Sequence, residues 1–243
     1  SGISINRMAE GRSEAFRRCF LGTHFFNPPR YMPLLELIPG ASTDPELVKT
    51  FRVFCERVLG KTVVIAKDTP NFIANRIGTY GLLVTLREMT ERGLTVEEAD
   101  AVTGPAMGRP KSATFRTLDL VGLDTFLFVA DNVHANVTDA EERAIFKAPD
   151  ALKAMVAQGR LGEKSGQGFY WKRKGAGGSE IWSLDLKTME YRPSRKVSSG
   201  SLEAAKLAKG ARARLNALLS GGDRYAEFAW NVLLIPLKFL VFV

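Results

Sequence analysis

The sequence predicts a mainly α chain in which the end of an α/β domain is followed by a helical region. Two observations carry this. Up to Lys67, short apolar runs alternate with a helical pattern in the order strand, helix, strand, which fits the tail of a parallel α/β domain. Beyond Asp68-Thr69-Pro70 the apolar residues recur mostly at helical spacing. The boundary is therefore expected near residues 68–71.

Taken in order, residues 9–20 have helical character, and residues 21–26 and 34–38 read as short strands around a Pro-rich turn. Ser42-Thr43-Asp44-Pro45-Glu46 is a helix start, with capping residues, a proline just inside and an acid in the first turn. That helix is expected to run to about Leu59 and stop at Gly60. Residues 61–67, with Thr-Val-Val-Ile-Ala inside, form a β-branched buried strand.

A long helix is expected over residues 72–92, ended by Gly93. Thr95-Val96-Glu97-Glu98 is a capping box that opens another. Residues 118–132, 148–158, 201–219 and 225–243 also read as helices. Gly175-Ala176-Gly177-Gly178-Ser179 reads as a flexible break and residues 196–201 as a second. The expected domains are 1–70, 71–174, and 175–243 as a linker with the start of a second helical domain. Glu227-Phe228-Ala229-Trp230-Asn231-Val232 faintly echoes Asn71 to Arg76.

The chain carries 34 Lys and Arg against 26 Asp and Glu, a net charge of +8. Scattered positive charge without interleaved aromatic residues reads as a solvated basic face rather than a nucleic-acid surface. Two cysteines, Cys19 and Cys55, make no disulfide framework and fit a reducing, cytoplasmic setting. The apolar tail from Phe228 is shorter than the ~20 residues a membrane span needs and contains Pro236 and Lys238, so it reads as a helix to be buried. No His, Cys and Asp cluster has metal-ligand spacing, so no metal is expected.

The chemistry concentrates in Gly22-Thr23-His24-Phe25-Phe26-Asn27-Pro28-Pro29, followed twelve residues after His24 by Glu36. His24 is one of two histidines in the chain. A histidine with a carboxylate one strand away and an amide in reach is what proton abstraction from an alcohol requires. The imidazole is the base; the carboxylate fixes its tautomer and stabilises the imidazolium. Glu36 sits between Leu34-Leu35 and Leu37-Ile38, so its side chain is expected to be partly buried and to need a partner. Asn75 stands in Asp68-Thr69-Pro70-Asn71-Phe72-Ile73-Ala74-Asn75-Arg76.

These motifs, with Val121-Gly122-Leu123-Asp124 and Lys164-Ser165-Gly166-Gln167-Gly168-Phe169-Tyr170, occur in an order that resembles the L-3-hydroxyacyl-CoA dehydrogenase family, from Ser1 to about Lys172. The resemblance implies the end of an NAD-binding Rossmann domain followed by a helical 3-hydroxyacyl-CoA dehydrogenase C-terminal-type domain. It implies NAD as cofactor, an acyl-CoA substrate and a homodimer through the helical domain. It further implies His24 as catalytic base, Glu36 as its dyad partner, and Asn75 as the amide that keeps the substrate carbonyl and His24 in register. Ser1 resembles the serine that hydrogen-bonds the substrate hydroxyl, and Asn27 and Lys164 resemble cofactor contacts. Family members usually carry glycine where this chain has Asn71.

A nicotinamide enzyme carries Gly-x-Gly-x-x-Gly between a strand and a helix. None is present: Gly175-Ala176-Gly177 lacks the third glycine, and Gly162-Glu163-Lys164-Ser165 is no phosphate loop. The sequence is thus expected to be a fragment, inactive alone, that exposes apolar surface where a larger sheet belongs. More than 70 residues follow Tyr170, as in longer, multifunctional β-oxidation members of the family. Met107-Gly108-Arg109-Pro110-Lys111-Ser112-Ala113 departs from simpler relatives and leaves acyl length open. Two alternatives stand beside this reading: a non-catalytic helical dimerisation module and a short-chain 3-hydroxybutyryl-CoA dehydrogenase.

Overall fold

The structure is a computed structural model that describes residues 3–175 and 178–240. Contacts divide it into two compact units, Ser1–Gly78 with Ala135–Thr138, and Thr79–His134 with Asp139–Val243.

The first unit contains α1 (Ile5–Ala9), α2 (Glu14–Cys19), β1 (Leu21–Phe25), β2 (Leu34–Pro39), α3 (Pro45–Arg57), β3 (Thr62–Ile65) and the start of α4 (Ala74–Glu91). The helical stretch expected over residues 9–20 is two helices, because Gly11 takes a left-handed φ of 71° between them. α3 opens as expected, with Asp44 accepting from the Glu46 N–H and Pro45 in the first turn. It ends at Arg57, short of Gly60.

The sheet order is β1-β2-β3. β2 and β3 are parallel and joined through α3, a βαβ crossover, whereas β1 lies antiparallel to β2. Alternation along β2 explains the two small cores. Leu35 and Leu37 pack with Cys55 and Val63. Ile38 packs with Ile5, Ala66 and Phe72. Glu36 falls in phase with Ile38, so its side chain is buried by the strand's own period of two. Gly22 lies opposite Ile38, and a Cβ there would come 2.7 Å from Ile5 Cδ1. The missing side chain lets α1 lie directly on the sheet. β3 is not the buried strand expected: only Val63 is buried, and Val64 and Ile65 join Val53, Phe54, Val58 and Leu59 as exposed large apolar residues of this unit.

The second unit is largely helical: α5 (Val96–Thr103), α6 (Phe115–Val121), α7 (Leu123–Asn136), α8 (Ala140–Ile145), α9 (Asp150–Ala157), α10 (Gly200–Leu207), α11 (Ala211–Leu219) and α12 (Arg224–Leu240). The capping box at Thr95 and Glu98 forms as its spacing predicts. Two expected single helices are each broken at a glycine of positive φ, Gly122 (95°) between α6 and α7 and Gly210 (85°) between α10 and α11. Tyr80 stacks on Phe239 with centroids 3.9 Å apart, and both contact Phe146 edge to face. The apolar tail is only half buried. Phe228, Ala229 and Val232 of α12 are inside, while Trp230, Leu234, Leu237 and Leu240 are exposed.

The main correction lies at residues 170–193. The glycine-rich stretch joins β4 (Tyr170–Gly175) to β5 (Gly178–Asp185), and β6 (Glu190–Pro193) completes an antiparallel meander. Ala176 and Gly177, the middle of the expected flexible break, lie outside the described residues. The pairing continues to Gly175 opposite Gly178, so hydrogen bonds cross the boundary expected at 174–175. Trp171 faces Trp182 across the strands, and the Arg173 guanidinium lies 5.4 and 4.8 Å from the two ring centroids.

Candidate active site

Cross-strand register brings the first two candidate residues together. His24 of β1 is directly opposite Glu36 of β2, so both side chains leave the same face of the sheet. His24 Nδ1 lies 2.6 Å from Glu36 Oε2. The Glu36 side chain is 1% exposed and that of His24 20%. Glu36 is therefore buried outright, beyond the partial burial its apolar flanks predicted. An unpartnered carboxylate at that depth would be prohibitive.

Two backbone donors complete its shell. The Ile73 and Ala74 N–H groups donate to Glu36 Oε1 at 3.2 and 2.8 Å. These are the entry and first residue of α4, whose first-turn N–H groups have no partner within the helix. The carboxylate thus caps a helix with one oxygen and holds an imidazole with the other, in the favourable field of the helix N-terminus.

This arrangement orders the imidazole. Glu36 accepts from every partner, so in neutral His24 the proton sits on Nδ1 and the lone pair on Nε2. Asn75, on the first turn of α4, places its Nδ2 3.3 Å from that Nε2. Phe26 and Phe72 flank the ring, with centroids 4.7 and 5.6 Å from that of His24. His24 keeps a fifth of its side chain exposed, and Nε2, met by the Asn75 amide, is its basic nitrogen in this tautomer, the chemistry that general-base catalysis requires.

Ser1 lies outside the described residues. Asn27 follows β1 in an exposed turn, before a cis bond to Pro28. Lys164, in the second unit, pairs with Asp124, itself bonded to the Thr125 N–H. A Cβ on Gly122 would meet Lys164 Nζ at 2.9 Å, so the Val121-Gly122-Leu123-Asp124 motif makes room for this lysine. His134 holds the Arg143 carbonyl at 2.8 Å.

The Lys164–Tyr170 motif has a structural use that its sequence did not disclose. Asp119 accepts from the Phe169 and Tyr170 N–H groups at 2.7 and 2.9 Å. Cβ atoms on Gly162 or Gly168 would lie 2.2 and 2.0 Å from Asp119 atoms. Asp100 receives the N–H groups of Thr114, Phe115 and Arg116, capping α6 from α5, and also the Tyr170 hydroxyl at 2.9 Å. Burial pushes both carboxyl groups up to about 6 against the pull of these donors.

Comparison with known proteins agrees with the motifs. Residues 1–69 match the 3-hydroxyacyl-CoA dehydrogenase NAD binding domain, and residues 72–172 the C-terminal domain of the same family. The chain belongs to the 3-hydroxyacyl-CoA dehydrogenase family. A probable 3-hydroxyacyl-CoA dehydrogenase of Bacillus subtilis is 55% identical over 232 residues, covering 96% of this chain and 29% of its own length. A protein of the same description from Deinococcus radiodurans is 53% identical over 72% of this chain and 49% of its length. The crystal structure of M. tuberculosis FadB2 superposes with a TM-score of 0.61 at 33% identity, over 70% of this chain and 57% of that one. The chain thus spans less than half the length of these two curated relatives.

Proposed function

We propose that this chain carries the acid/base half of an NAD-dependent L-3-hydroxyacyl-CoA dehydrogenase, which oxidises (3S)-3-hydroxyacyl-CoA to 3-oxoacyl-CoA in fatty-acid β-oxidation. The observation that carries it is the pairing of His24 Nδ1 with the buried Glu36 carboxylate, which makes Nε2, beside the Asn75 amide, the basic nitrogen. A nicotinamide dinucleotide, when bound, supplies the hydride acceptor. The residues of this chain handle the proton. His24 Nε2 takes it from the C3 hydroxyl during oxidation and returns it during reduction. Glu36 stabilises the imidazolium through Nδ1. Asn75, already beside Nε2, is placed to hold the substrate oxygen there. Ser1 is the proposed donor to the same hydroxyl.

Toward the dinucleotide the fit is partial. Asn27 offers an exposed amide in the turn after β1. Lys164 would have to leave Asp124 to reach a ligand. No glycine-rich strand-to-helix turn occurs in the sequence.

The multifunctional type is part of this proposal; a longer type of the family is supported by the Bacillus subtilis match, whose 232 aligned residues reach well past the family domains ending at residue 172. Homodimerisation through the helical unit is supported by exposed Leu120, Val121 and Phe128. The free thiols of Cys19 and Cys55 suit a reducing, cytoplasmic setting. The reading is tested by assaying the full-length protein with NAD and each enantiomer of 3-hydroxyacyl-CoA at several chain lengths. Turnover of the (3S) form alone is expected. Failure on both enantiomers at every length would remove it.

A further inference from the structure

We propose that the turn Asn71–Phe72 is the positioning device of the acid/base pair, an inference that rests on the dehydrogenase reading for its kinetic consequence but not for its geometry. Both residues have left-handed backbone angles, φ of 60° and 56°. One such residue outside glycine is uncommon; for an aromatic side chain it is a genuine outlier that the surroundings must enforce. Here both are also buried, Asn71 to 1% and Phe72 to 5% exposure.

The two angles reverse the chain immediately before α4. The Phe72 N–H returns to the Thr69 carbonyl at 3.0 Å. The next two N–H groups, of Ile73 and Ala74, are thereby aimed at Glu36 Oε1, the oxygen His24 does not use. Phe72 meanwhile enters the cluster of Ile5, Ile38 and Ala66 and presents its ring to His24. One turn therefore fixes both members of the pair: the carboxylate from behind through two backbone donors, the imidazole from the side through an aromatic face. Asn75 rides on the same first turn of α4, so its approach to Nε2 is set by the same reversal.

Asn71 and Phe72 touch no reacting atom in this account; they act through Glu36, His24 and Asn75. The specific consequence is that the imidazole tautomer depends on the backbone angle at residue 71. Asparagine and glycine accept a positive φ, alanine resists it, and β-branched valine resists it most.

The test uses Asn71→Gly, Asn71→Ala and Asn71→Val. The tautomer is read on this chain, whose sequence has only two histidines, by ¹⁵N-histidine labelling, and kcat is read on the full-length protein carrying the same substitution. Asn71→Gly is expected to keep the single Nδ1–H tautomer and a kcat within about threefold of wild type, whereas Asn71→Val mixes tautomers and loses kcat about 10–100-fold with KM little changed. Should Asn71→Val fail to fold by circular dichroism, Asn71→Ala decides by the same readouts. A folded Asn71→Val, or in its place Asn71→Ala, that keeps one tautomer and wild-type kcat overturns the proposal. A full-length wild-type protein without dehydrogenase activity removes the enzymatic reading, while a tautomer change in the variants of this chain would still establish the positioning role.

Discussion

At the scale of the residue, the pair His24–Glu36 is defined by what each atom can accept. Glu36 spends one oxygen on the imidazole and the other on two backbone donors. A carboxamide cannot reproduce this, because one of its two ends would present N–H to a donor. Glu36→Gln is therefore expected to lower kcat of the full-length protein by ~10²-fold or more, with a smaller effect on KM, as measured by steady-state kinetics. Unchanged kcat would show that the carboxylate only holds the fold together. The side chains of this site were legible in the sequence, since a His motif and an acid in an apolar strand each carry a recognisable pattern. The Ile73 and Ala74 N–H groups were not, because a backbone donor leaves no mark on residue identity. Only Asn71 before an expected helix start hinted at the turn that aims them.

At the scale of the element, the capping box at Thr95 and the proline-started α3 followed from local rules. The breaks at Gly122 and Gly210 and the 170–193 meander did not. A helical period runs through a single glycine without showing whether it bends the chain, and Gly175 to Ser179 has the composition of both a linker and a hairpin turn. The long-range caps were equally hidden: Asp100 and Asp119 each serve an element at least 14 residues away. Around Asp119 the backbone approaches so closely that Gly162→Ala places a Cβ 2.2 Å from the Asp119 carbonyl oxygen at a φ of 99°. A loss of more than ~3 kcal/mol is expected in denaturant unfolding. An effect below ~1 kcal/mol would show that the loop yields.

Asp119 also predicts a pH dependence. Its carboxyl is raised from 3.8 to about 6 in the folded chain. The native state then binds the proton more tightly than the unfolded one, so this contribution is complete below about pH 4 and is lost as pH rises toward 6. The carboxamide introduced by Asp119→Asn does not titrate. The stability deficit of that variant relative to wild type should therefore shrink by roughly 2–3 kcal/mol between pH 4 and pH 6.5. A deficit independent of pH, read from urea midpoints, would mean Asp119 titrates alike in both states.

At the scale of the whole molecule, the family and the mainly helical character were legible because five motifs recur in one order. The half-buried state of α12 was not, since an apolar stretch does not reveal which face finds a partner. No helix of the described residues is long and apolar enough to cross a membrane. The exposed Leu120, Val121 and Phe128 give the dimer proposal a direct check. Phe128→Glu is expected to shift the full-length protein toward monomer in analytical ultracentrifugation, and an unshifted dimer would place the interface elsewhere.

The central claim, that His24 is the acid/base of a dehydrogenase, is tested most directly by NADH oxidation with acetoacetyl-CoA. The measurement compares the full-length wild-type protein with His24→Ala. A fall of ~10²-fold or more in kcat, with the fold intact, is the predicted result. An active protein indifferent to the loss of His24 would contradict it.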